Sequence, residues 1–99
     1  MTRRAFACSL TSAELQQRKA TIIQDLKSIL INKEELEYGY AYKFDANDEV
    51  IDLLSEFVKV ERKCCNFFHF QIAINSQETV LSITGEPEAK DFLVTELDF

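Results

Sequence analysis

The chain has 99 residues, which suits one domain with a single core and is short for a two-domain enzyme. At 46% hydrophobic and 11% aromatic, with two Gly and one Pro, it has the make-up of a folded domain and not of a linker. A net charge of −6 argues against nucleic-acid binding through phosphates, which needs a positive surface, and against anionic membrane surfaces.

No apolar run approaches the roughly 20 residues needed to cross a bilayer. Arg3-Arg4 followed by Ala5 to Leu10 is too short in its apolar part for a signal peptide, and a helix start follows at once. The expected compartment is the cytoplasm, where thiols stay reduced. Three cysteines, an odd number, do not make a disulfide framework.

Phe6, Cys8 and Leu10 alternate with Ala5, Ala7 and Ser9, which predicts a short first strand with Cys8 on its more apolar side. Thr11-Ser12-Ala13-Glu14 fits a capping box. Leu15, Ile22, Ile23, Leu26, Ile29 and Leu30 recur at helical spacing, so a helix is predicted over about 12–31 with Arg18 at the edge of its apolar stripe. From Leu36 to Phe44 the period becomes two. Leu36, Tyr38, Tyr40, Tyr42 and Phe44 then share one face of a single strand, and Gly39 and Ala41 lie on the other. Those small residues invite close packing, by a homodimer partner for example, or are simply exposed.

Asp45-Ala46-Asn47-Asp48 reads as a turn with N-cap candidates, opening a second helix over about 48–65. Phe68, Phe70, Ile72 and Ile74 mark the next strand. Asn75-Ser76-Gln77 turns the chain into Thr79–Thr84, with Leu81 and Ile83 inward. Pro87 suits the first turn of a last helix through Phe92, Leu93 and Leu97. The expected order is β-α-β-α-β-β-α in one domain over 1–99. This is an α+β two-layer sandwich, ferredoxin-like in outline, with a mainly antiparallel sheet.

The chemistry gathers between Glu61 and Phe70. At about 100° per residue, Val50, Leu53, Leu54 and Phe57 define a buried arc that carries on to Glu61, with Cys64 and Cys65 on either side. A carboxylate in an apolar stripe is costly without a partner. Arg18 or Arg62 can hold it as a structural ion pair. The functional alternative makes Glu61 a metal ligand or a proton acceptor for a thiol. Cys8, Cys64 and Cys65 can converge as three soft ligands, suited to a thiophilic ion such as zinc, mercury or arsenic. Each alone is an ordinary core cysteine, and a helix C-terminus favours the thiol over the thiolate.

A third reading makes Cys64 or Cys65 a nucleophile with Glu61 as base. His69 alternates with Phe68 and Phe70 and so faces away from the core. No nucleophile–base pair with histidine, phosphate loop or two-histidine helix is present, which points to a binding protein more than to an enzyme. The aromatic face of Tyr38, Tyr40, Tyr42, Phe68 and Phe70 can line a pocket for a small apolar ligand, or make an aromatic core.

The segment Glu61-Arg62-Lys63-Cys64-Cys65-Asn66-Phe67-Phe68-His69-Phe70, followed by Leu81-Ser82-Ile83-Thr84-Gly85, resembles a group of small uncharacterised bacterial proteins. Their pattern is Glu-Arg-x-Cys-Cys-x-Phe-Phe ahead of a hairpin, and they occur near or fused to mercury- and other heavy-metal-responsive regulators. Cys8-Ser9-Leu10 and Glu37-x-Gly39-Tyr40 fit as well, while Asn66 stands where the pattern has proline. The resemblance implies a heavy-metal or thiol-stress setting, with Cys8, Glu61, Cys64 and Cys65 at the matching positions.

Overall fold

The computed structural model describes residues 13–97, apart from the side chain of Cys64. The elements are α1 (Ala13–Ile29), β1 (Asn32–Leu36), β2 (Gly39–Asp45), α2 (Asp48–Cys64), β3 (His69–Ile74), β4 (Glu78–Thr84) and α3 (Pro87–Leu97). Over the described residues the class is α+β, with three helices and a four-stranded sheet in the order β1-β2-β4-β3, every neighbour antiparallel. The expected order β-α-β-α-β-β-α is therefore corrected to α-β-β-α-β-β-α over these residues. The strand expected at 5–10 lies outside them.

The single strand expected over 36–44 is a hairpin. Leu36 pairs directly with Gly39 across a turn at Glu37-Tyr38, and Asn32 to Glu35 run back along β2. Leu36 thus faces away from Tyr40, and Tyr38 sits 54% exposed on the turn. The turn carries no Asn-Gly or Asp-Gly signal, so the alternation in the sequence runs straight through it. Gly39 is needed just after it, because a Cβ there would drive into the backbone carbonyl of Ile83 on β4. The N–H of Gly85 closes the corner by donating to the Tyr38 carbonyl at 2.9 Å.

Alternation gives the sheet one buried face. Tyr42 lies opposite Leu81 and Phe44 opposite Thr79, all four essentially buried, with Ile83 beside them. Against that face pack Ile22 and Leu26 of α1, Leu54 and Phe57 of α2, and Ala89, Leu93 and Leu97 of α3. Fully burying a Leu, Ile or Phe side chain, as at these positions other than Ala89, contributes about 1.5–3 kcal/mol. Asn47 caps α2 by accepting from the Val50 N–H at 2.9 Å. The Asn75 side chain shapes the β3–β4 turn by accepting from the N–H groups of Gln77 and Glu78. Among the described residues no helix is long and apolar enough to cross a membrane.

Candidate functional site: a buried lysine, two carboxylates and a cysteine

Three helices each send one charged side chain into a common interior. On α1 the buried residues are Lys19, Ile22 and Leu26, at steps of three and four. This places an ammonium on the apolar stripe. On α2 the arc continues as the sequence indicates, and Glu61 is 1% exposed. On α3 Glu96 follows Phe92 by four and Leu93 by three, so it shares their inward side and its side chain is only 12% exposed.

Cys65 enters from the end of α2. Its N–H donates to the Glu61 carbonyl at 2.7 Å, closing the last helical turn, and its backbone then leaves the helix at φ −123°, ψ 67°. The four-residue step stacks the Cys65 thiol over the Glu61 side chain. The Phe68 N–H donates to the Cys65 carbonyl at 3.3 Å, which returns the chain to the core. There Phe67 meets Phe92 edge-on at 5.7 Å, and Phe68 lies 6.2 Å from the same ring. This aromatic cluster fixes α3 against the corner and so sets where Glu96 points.

The geometry is close. Glu61 Oε1 receives Lys19 Nζ at 3.0 Å and the Cys65 thiol at 3.5 Å. Lys19 Nζ also pairs with Glu96 Oε2. One ligating atom each from Glu61, Cys65 and Glu96 lies within 4.8 Å of the others, and the Cys65 residue is wholly buried. A sulfur and two carboxylate oxygens are donors a borderline-soft divalent ion accepts. Among the described residues, the positive charge that meets these donors is the lysine's.

The partner expected for Glu61 is corrected accordingly. Arg18 pairs instead with Glu56 and is itself half exposed, while Arg62 projects to solvent. Lys19 was overlooked although its spacing to Leu15 and Ile22 is that of a buried position; an ammonium on one apolar stripe and a carboxylate on another are a matched pair. Glu96 carried the same signal, lying between Leu93 and Leu97. Cys8 lies outside the described residues, as does the side chain of Cys64, so Cys65 and Glu61 are the members of the expected set brought together here. His69 is exposed on the face away from the helices, as its alternation indicates.

The aromatic residues divide. Tyr42 and Phe68 are core, and burial pushes the Tyr42 phenol above its ordinary pKa. Tyr40 and Phe70 are half-buried, and Tyr40 lies beneath the Lys33 ammonium at 4.5 Å. Tyr38 stands apart on its turn. An open groove of about 940 Å³ runs between α1 and α2; among the described residues its lining holds no aromatic ring, Ile22 and Leu53 lie among acidic side chains, and Arg18 is the one cation.

A second lysine acts at the opposite edge of the sheet. Lys90 of α3 donates to Glu35 Oε2 at 2.8 Å and to the Leu36 carbonyl at 2.7 Å, clamping the helix to the β1–β2 turn. The hydrogen bond and charge of Lys90 hold the Glu35 carboxyl below its ordinary value, and Glu35 in turn raises Lys90.

No protein-family model matches the chain, and neither a curated protein nor a solved structure matches it.

Proposed function

We propose that this protein binds a thiophilic metal or metalloid ion, with Cys65 as the anchor and Glu61 completing the site. Cys8 and Cys64 are the further thiol donors in this reading, and a reducing cytoplasm is the setting that keeps all three available. One observation carries it: a buried thiol on a buried carboxylate, with a second carboxylate within 4.8 Å, is a donor set already gathered. The resemblance of the Glu61–Phe70 segment to proteins found beside heavy-metal-responsive regulators points the same way.

Charge supports it too. A buried carboxylate pair needs compensation, and a bound cation supplies it as well as an ammonium does. Native mass spectrometry of the reduced protein with Zn²⁺, Hg²⁺ or arsenite tests the proposal. A one-to-one adduct is expected, weakened in Cys65→Ser and lost when all three cysteines are replaced. Equal uptake by a folded triple variant would return the cysteines to the core.

The competing reading is a ligand-sensing or dimerising domain whose cysteines are structural. Its expected aromatic-lined pocket does not coincide with the α1–α2 groove, and that groove, with a volume of about 940 Å³, is its support instead. It predicts that an apolar ligand raises Tm even in the triple Cys→Ser protein.

A further inference from the structure

We infer that Lys19 is a resident counter-cation that an incoming ion must displace, so that occupancy of the site is read out as a solvated Lys19 amine and a loosened first half of α1. The inference rests on the metal-binding reading above. The two carboxylates that would face the ion, Glu61 and Glu96, are both held by Lys19 now, and the Cys65 thiol donates to the same Glu61 oxygen that Lys19 contacts. A dication and an ammonium cannot share that space, because like charges a few ångströms apart in a dry interior repel strongly.

The exchange balances. The ion forms bonds to the Cys65 sulfur and to one oxygen of each carboxylate. The thiol proton leaves to water, and Lys19 carries its charge out to solvent. The ion and three anionic donors then hold one negative charge, the same as the two carboxylates and the ammonium before it. The interior keeps its net charge while the bridge between α1 and the other two helices is broken.

Lys19 has a short route out. Its side chain is 11% exposed, and a four-carbon stem lets the ammonium swing to the surface while its methylenes stay packed. Once it leaves, Ile22, Leu26 and the exposed Arg18–Glu56 pair still attach α1 to the fold. The consequence is a loosened first half of α1 and a newly solvated amine on the surface, which a partner can recognise.

Amine acylation of the reduced protein, followed by peptide mass spectrometry with and without Zn²⁺ or Hg²⁺, reads this out in the unaltered chain. Lys19 labelling rises several-fold on ion binding, while exposed Lys27 and Lys59 do not change. Lys19→Met, which removes the competitor, tightens ion binding on the order of tenfold, the usual size of such a coupling. It also shows the larger Tm rise on ion addition. Ion binding that depends on Cys65 but leaves Lys19 labelling unchanged would overturn the exchange and spare the binding site. Absence of uptake by either protein overturns both.

Discussion

Lys19 and Lys90 each hold an acidic partner from another element, in opposite surroundings. Lys90 reaches a Glu35 whose side chain is 68% exposed, and shares its protons with backbone carbonyls of a turn. Lys19 reaches a Glu61 that is 1% exposed and a Glu96 that is 12% exposed. The pairing chemistry is the same; the solvent is not. Water can replace either partner of the exposed clamp, so breaking it costs little. In the buried cluster water reaches Glu61 hardly at all, so taking away its ammonium leaves a buried carboxylate that solvent does not compensate. A site that must hold an ion has reason to use the second arrangement, because its carboxylates demand a cation.

The sharpest way to test that contrast is Glu61→Gln. It takes one carboxylate from Lys19 and leaves Cys65 with a neutral acceptor, and is expected to cost about 3–5 kcal/mol in urea unfolding. A near-neutral effect would mean the interior is wetter than its burial indicates.

The next variant replaces the whole charged group by apolar residues, Lys19→Met with Glu61→Leu and Glu96→Leu. Buried ion clusters exchanged in this way are often neutral or more stable by about 1–4 kcal/mol. Unfolding close to or above the unaltered protein, with ion binding lost, would assign the cluster to function and not to stability. A large loss would make it structural.

The smallest effect is expected from Glu35→Gln. Lys90 holds the Glu35 carboxyl below its ordinary value of 4.5, so the contribution is present above that pH and is lost as pH falls through the lower folded value. The variant should show a flatter acid limb below about pH 4.5 and little change at neutral pH. In about 1 M salt, where the Debye length is only about 3 Å, even that difference shrinks. The effect of Glu61→Gln should survive the same salt.

How far these features were legible in the sequence follows the same division between dry and wet. The arc of α2 was readable because Val50, Leu54 and Phe57 face a core, and it carried Glu61 inward correctly. The strands β2 and β4 alternate because one face is covered, and Pro87 marked α3. Strand β1 was missed because Asn-Lys-Glu-Glu-Leu lies at an edge, where charged side chains guard open backbone. Lys19 was missed because a lysine is expected outside, and only its spacing to Leu15 and Ile22 says otherwise. Arg18, one position off the stripe, belongs to the surface and pairs there with Glu56.

The most direct measurement is anomalous diffraction from crystals of the reduced protein loaded with Zn²⁺. The account predicts a single strong peak at bonding distance from Cys65 Sγ, about 2.3 Å for zinc. Carboxylate density from Glu61 and Glu96 should turn toward that peak, and Lys19 should be swung out. A peak only at exposed groups such as His69, with Lys19 still seated between its two carboxylates, would contradict it.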